Sequence, residues 1–402
     1  MSRRRLVLIA LGVVAVAFLG WRFVRPMNIF AVSPAFERPI DTAAAPAALG
    51  KLRAGECGVC HPAELAEWKT SIHSRAWTEA YFQVDFRFDG SQQICKNCHI
   101  PLDRQQEHRV LGFRDAEKWE PVLAPNPAFD PVLQHEGVTC AACHLREGKI
   151  LGSSRARGES PHAVEALADP NEICVGCHVV QGERWDTFYR FPPCGTTAEI
   201  SAGKGEWKGR SGEYAVPKVG ELGCVQCHMP LVERPIVAGG APRTARQHLW
   251  RGGHDPATVR SALAASFSEP AASEGERSVE FALTNIGADH FLPTGTPDRH
   301  LSVRLRALDA QDRVLREESH VLERTIMWRP FIVDLWDTRL PRGEVRRYRL
   351  ELPPGTETVE ALVRYHLLGE PRRRRIGYEP VEPISYVVHE ERRRIRPPSS
   401  AR

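Results

Sequence analysis

Between Cys57 and His228 a single five-residue word, Cys-x-x-Cys-His, occurs five times. A shuffled chain with eleven cysteines and sixteen histidines in 402 residues would hold roughly 0.01 copies. Two thiols at this spacing can add to the two vinyl groups of one haem, and the adjoining histidine then falls beneath the iron as its proximal ligand. The words therefore predict five covalently bound haem c groups. Their attachment residues are Cys57, Cys60 and His61; Cys95, Cys98 and His99; Cys140, Cys143 and His144; Cys174, Cys177 and His178; and Cys224, Cys227 and His228. Zinc ribbons, redox Cys-x-x-Cys motifs and disulfides also pair cysteines, but none of them needs a histidine at the next position five times over.

The first 260 or so residues are rich in Pro and Gly and short of long apolar runs, so haem faces are expected to replace much of an ordinary core. Trp68, Trp77, Trp119 and Trp185 are the aromatics placed to pack on them. Ten of eleven cysteines belong to the words, which indicates an extracytoplasmic haem-assembly compartment rather than a disulfide scaffold. Cys194 is left over, as a buried free thiol, a haem ligand or an intermolecular contact. A net charge of +4 is too small to argue for nucleic acid. Two basic clusters, Arg372 to Arg375 and Arg392, Arg393, Arg394 and Arg396, read as solvated strand edges or as docking sites for an acidic redox partner or anionic lipid.

Residues 1–27 carry Arg3, Arg4 and Arg5 ahead of an almost wholly apolar stretch from Leu6 to Val24, a membrane anchor or signal segment that sends the rest of the chain out of the cytoplasm. Residues 28–54, rich in Pro and Ala, are expected to be a linker. Residues 55–266 hold the words and form the expected mainly helical, loop-rich haem domain; within it, a helix is predicted from Pro62 through Trp77. From about residue 267 the pattern turns to period-two alternation: Val279, Phe281 and Leu283 share one face, as do Leu301, Val303 and Leu305. Asp309 to Asp312 reads as a hairpin turn, and further strands are expected at residues 345–352, 359–368 and 384–388. The fold class is thus α+β, with an immunoglobulin-like β-sandwich over 267–396 and a tail at 397–402.

Trp68-x-x-Ser71-x-His73-x-x-Ala76, one helix beyond the first word, resembles the multihaem c-type cytochromes related to the tetrahaem cytochrome c of ammonia oxidisers. Further matches to that family are Gly137-Val138-Thr139 before Cys140, Glu206-Trp207 upstream of the Gly223–Pro230 run, and His248 with Gly252-Gly253-His254-Asp255. Asn285-x-Gly287-Ala288-x-His290-x-x-Pro293-Thr294-Gly295 is similar to a motif that opens a β domain appended to many such cytochromes. The resemblance implies that His73 is a distal haem ligand. Five low-spin irons require five sixth ligands, and eleven histidines lie outside the words. The metal-ligand candidates are His73, His135, His162, His248 and His254, with His108 and His290 as secondary ones; the alternative is an exposed loop histidine for His135 and His162, a solvated face for His108 and a turn fixed by hydrogen bonding for His290. His300, His320, His366 and His389 read as structural.

Two functional readings stay open. In the first, closely spaced haems with two histidine ligands carry single electrons between a membrane donor or acceptor and an extracytoplasmic partner; two imidazoles leave an iron no site for substrate. Redox partner proteins, a quinol-linked membrane protein or a soluble cytochrome, are then expected, with the membrane engaged through the N-terminal helix and self-association open. In the second, one haem with an open axial site reduces or oxidises a small nitrogen or sulfur oxy-compound. All five words end in His, without the Lys replacement usual at the catalytic haem of pentahaem nitrite reductases.

Overall fold

The computed structural model describes residues 2–24, 38–116, 118–152, 162–178, 187–188, 195–203, 223–273 and 276–395. Cys194, Trp185, Glu206 and Trp207 lie outside them, as do the first part of the expected linker and the tail.

The haem-word half is built from short pieces. Its helices run from five to nine residues, Ala54–Gly58 to Ala80–Phe88 among them, and small strand pairs lie between. Asp-Pro pairs start two of the helices: Asp130 and Asp255 cap through their carboxylates, and Pro131 and Pro256 occupy the first turn. The helix predicted to reach Trp77 stops earlier, at Lys69. Ser71 and Ser74 return their hydroxyls to the carbonyls of Trp68 (2.7 Å) and Ser71 (2.9 Å), an alternative to continued helix, and His73–Arg75 follows as a tight 3-10 turn.

The expected linker also needs correction. From Arg38 onward the chain packs against the haem-word half: Ile40 N–H donates to Pro101 O (2.7 Å), the Thr42 hydroxyl to Asp103 (2.6 Å), and Leu52 is fully buried beside Leu102, Leu133 and Leu145. The apolar residues that Pro and Ala separate in sequence are gathered by this docking.

The C-terminal half has two four-stranded antiparallel sheets. Leu263–Phe267 and Ala271–Ser273 both pair with Glu276–Asn285, which pairs with Val345–Glu351. The other sheet runs Val314–Leu322, His300–Leu308, Thr358–His366, Ser385–Arg394. Val279, Phe281 and Leu283 of the first sheet join Leu301, Val303, Leu305, Val359, Ala361 and Val363 of the second in one core, each buried Val, Leu or Phe contributing about 1.5–3 kcal/mol. That cluster has twenty buried residues, against five in the largest cluster among the described residues of the haem-word half. Among the described residues the haem-word half thus has the smaller apolar core.

The basic clusters part company. Arg392, Arg393 and Arg394 lie on the edge strand Ser385–Arg394, but Arg372 to Arg375 lie on a helix, Glu370–Ile376. Arg372 reaches across to Asp85 (2.6 Å) and Asp89 (3.2 Å), and Arg75 pairs with Glu382 (2.9 Å), tying the two halves together. The N-terminal segment is a single helix, Arg3–Val24, long and apolar enough to cross a membrane. At its end Arg22 donates to Pro330 O (3.0 Å) and Arg329 to Phe23 O (2.6 Å), so it abuts the turn between the strands Arg324–Met327 and Ile332–Asp337.

Candidate haem-binding site

Each of the last four words lies within a helix: Gln93–His99, Cys140–His144, Asn171–His178 and Cys224–His228. Residues i, i+3 and i+4 of a helix share a face, so two sulfurs and an imidazole are presented to one side, as a single porphyrin requires. None of the ten word cysteines is in a disulfide. The words are also brought close together. The Cys57 thiol lies near enough to that of Cys140 for each to shift the other's ionisation, and the same holds for Cys174 with Cys224; Cys98 likewise lies near enough to lower Cys177. The first word therefore adjoins the third, and the fourth adjoins both the second and the fifth.

Four word histidines direct Nδ1 to a backbone carbonyl: His61 to Ile236 (2.7 Å), His99 to Ala76 (2.5 Å), His144 to Leu151 (2.6 Å) and His228 to Arg251 (2.7 Å). Such a bond fixes the ring and leaves Nε2 as the ligating atom, the arrangement expected of a metal-bound imidazole. Burial holds His144, His178 and His228 below the ordinary histidine range and His99 down at about 4, so the rings are neutral at physiological pH, as ligation demands.

Three further histidines face word histidines. Ring centres are 6.3 Å apart for His73 and His178, 6.1 Å for His144 and His248, and 6.4 Å for His228 and His290. Two imidazoles on opposite sides of one iron, with metal–nitrogen bonds of about 2 Å and about 1.1 Å from nitrogen to ring centre, would have centres roughly 6.2 Å apart. All three separations lie close to that distance. Among the described residues no group of three or more His, Cys, Asp or Glu side chains converges as a bare metal site.

His73 owes its position to several contacts. Trp68 Nε1–H donates to Val138 O (2.8 Å), Val138 N–H donates to His73 O (2.9 Å), and Gly137, at φ +61°, lies against the His73 carbonyl so closely that a Cβ would come within 2.8 Å of it. That explains the two motifs singled out around Trp68 and Gly137: they meet. Burial, reinforced by the neighbouring His178, His228 and His99, pushes His73 down to about 3. His248 is held by Glu67, whose Oε2 accepts its backbone N–H (2.7 Å), and burial lowers its ring to about 4. Trp250 stands edge-on to both His73 (4.9 Å) and His248 (5.1 Å).

The other candidates are placed differently. His135 is exposed, its Nδ1 bonded to Pro131 O of its own helix (2.7 Å). His162 lies near enough to His144 for their charges to interact. His254 faces Arg299 (3.5 Å), and burial with the nearby Arg299 and Arg75 lowers it to about 4. His108 is exposed on the strand His108–Phe113. His300 and His366 stack on each other across neighbouring strands (4.1 Å). His61 and His99 are the word histidines outside the three ring pairs; His99 stacks directly on Phe82 (3.6 Å, 8°). Sequence reasoning missed Trp250, Phe82, and the carboxylate of Glu67. Only Glu67 carried a local signal, standing immediately before the Trp68 motif.

A family profile described as cytochrome c554 and c-prime matches residues 56–120, which include the first two words. No curated protein matches. Among solved structures, a penta-heme cytochrome c552 from Thermochromatium tepidum is similar in fold, with a TM-score of 0.61 and 18% identity over 86% of this chain and 99% of that one. An ApaA protein from Bordetella pertussis aligns at a TM-score of 0.19 with 16% identity, over 34% of this chain and 95% of that one. Over residues 56–120 the chain is thus similar to the cytochrome c554 and c-prime family, and along most of its length it shares its fold with a penta-heme cytochrome c552.

Proposed function

We propose that the chain holds five haems c at its five words and carries single electrons through them. The cysteines of each word would form the thioether links, and His61, His99, His144, His178 and His228 would be the proximal ligands. His73 would ligate opposite His178, and His248 opposite His144. Each bound haem would supply a one-electron Fe(III)/Fe(II) couple. The observation that carries the reading is the separation of those two ring pairs, 6.3 and 6.1 Å, which would let His73 with His178, and His248 with His144, each hold a haem through two imidazoles with no site left for substrate.

The protein's own part is to fix and insulate. Nδ1 bonds to carbonyls orient the rings and strengthen them as donors, and Trp250 fills the space between the two distal histidines. The solved structure of similar fold is described as penta-heme, which supports the count. Arg3, Arg4 and Arg5 would remain on the cytoplasmic side of an anchoring helix, with the haem domain outside exchanging electrons with a quinol-linked or soluble redox protein. We read the two sheets as an immunoglobulin-like sandwich that covers one end of the haem array. Recording the ferric spectrum of the purified protein, with nitrite and hydroxylamine additions, tests the reading. Low-spin irons that ignore both compounds are expected; a high-spin iron that binds either would replace the carrier with an enzyme.

A further inference from the structure

The fifth word differs from the third and fourth in where its facing histidine comes from. His290 is not part of the haem-word half; it sits after the strand Glu276–Asn285, in the sheet-forming half. Its ring plane lies within 8° of that of His228, with the centres 6.4 Å apart. Nδ1 of His290 is bonded to Phe291 O (2.9 Å), which leaves Nε2 available as it is in the word histidines. Parallel rings this far apart are not in direct stacking contact, whereas the separation matches that of the other two pairs.

The backbone around His290 is tied at every residue from 290 to 293. Asn285, fully buried, donates to His290 O (3.0 Å); Phe291 N–H donates to Glu199 Oε2 (3.1 Å); Leu292 exchanges both backbone bonds with Leu340 (2.9 and 3.0 Å); and Arg339 Nη1 donates to Pro293 O (3.2 Å). Arg339 also donates to Glu199 Oε1 (2.6 Å) and, through Nε and Nη2, to both oxygens of Asp337 (2.9 and 2.8 Å). Arg339 and Glu199 side chains are 3% and 2% exposed. Ion pairs this deep gain little net stability, since desolvation offsets their attraction; their use lies in fixing one geometry. Glu199 belongs to the helix Thr196–Gly203 of the haem-word half, so this one cluster locks that half to the segment carrying His290.

The geometry points to His290 as the sixth ligand of the haem held by Cys224, Cys227 and His228, supplied across the boundary between the two halves, with Glu199, Arg339 and Asp337 as the residues that position it. The inference rests on the multihaem reading above. It makes the sheet half part of a metal centre: the fifth haem becomes six-coordinate only when that half is docked.

The test uses the full-length holoprotein and its His290→Ala variant, counting covalent haems by pyridine haemochrome and intact mass before recording the ferric electron paramagnetic resonance spectrum. At an unchanged haem count, one additional high-spin haem per chain is expected, returning to low spin on addition of imidazole. His290→Met, which keeps a sixth ligand, should remain low-spin and raise the potential of one haem. Arg339→Met should show the same imidazole-reversible signal in part, with Arg339→Lys closer to the parent. A His290→Ala protein with all its haems and a parental spectrum overturns the ligand assignment. A parental spectrum in Arg339→Met overturns the positioning role. A parent chain without covalent haem would sink the multihaem reading as well, and the haem count shows that before any spin state is recorded.

Discussion

Glu67→Ala should both destabilise the protein and loosen His248, the proposed sixth ligand opposite His144. Glu67 Oε1 accepts from Arg234 Nη1 (2.6 Å), while Oε2 accepts from Arg234 Nη2 (2.9 Å) and from the His248 backbone N–H (2.7 Å). Both side chains of the pair are 14% exposed. Removing the carboxylate strands a guanidinium and a backbone donor in the interior. Breaking a fully buried pair costs about 3–5 kcal/mol, and two things bring this case to the low end: the residual exposure, and Glu64, which keeps a 3.1 Å contact with Arg234. A loss of about 3 kcal/mol follows, roughly a 150-fold change in the folding equilibrium. Guanidinium unfolding of the holoprotein measures it, and a double-mutant cycle with Arg234→Ala should give a coupling of about 1.5–3 kcal/mol. Because the carboxylate also fixes the main chain at His248, the ferric spectrum should show a fraction of one haem turning high-spin. A loss below about 1 kcal/mol together with an unchanged spectrum would refute the idea that Glu67 holds His248 in place.

Gly137→Ala should be damaging for a backbone rather than a packing reason. An added Cβ would meet His73 O at 2.8 Å and Ala76 N at 3.0 Å from a left-handed φ of +61°, so a loss of about 3 kcal/mol and a partly high-spin haem are expected from denaturation and absorption spectroscopy. Asp130→Ala removes the cap of the helix Pro131–His135 and a bidentate partner of Arg53, the capping part being worth about 1 kcal/mol. Burial alone would raise the Asp130 carboxyl, but Arg53 and the Leu133 and Val132 amides hold it below the usual carboxylate range. Its stabilising effect is therefore complete above the unfolded value, about pH 4, and lost as the pH falls through the lower folded value. The gap in melting temperature between parent and variant should be constant from neutral pH down to about 4 and close below it; a gap that persists at pH 2 would contradict this.

What the sequence made legible was local chemistry and short-period pattern. The five words specify their cofactor by covalent spacing alone, and the alternation of Val279, Phe281 and Leu283 with Leu301, Val303 and Leu305 identifies two inward faces that meet in one core. His73 was singled out because its motif is contiguous. His290 was weighed only as a secondary ligand candidate beside a turn role, because its relation to His228 spans the two halves of the chain. Trp250 went unnoticed because nothing beside it in sequence says that it touches His73 and His248. The overlong helix after Pro62 failed where Ser71 and Ser74 compete for backbone carbonyls, a balance that helix propensity does not register. Pro and Ala made residues 38–54 look like a linker, while the contacts that hold them, Ile40 with Pro101 and Leu52 with Leu102, come from the far side of the second word.

The central claim is that porphyrins are joined by thioethers at five places and complete the interior of the haem-word half. Intact mass of the full-length protein, matured in a host able to attach haem, tests it most directly. Five haem masses above the polypeptide are predicted, falling to four when Cys140 and Cys143 are both replaced by alanine. A parent mass equal to that of the bare chain, with no Soret absorption, would contradict it.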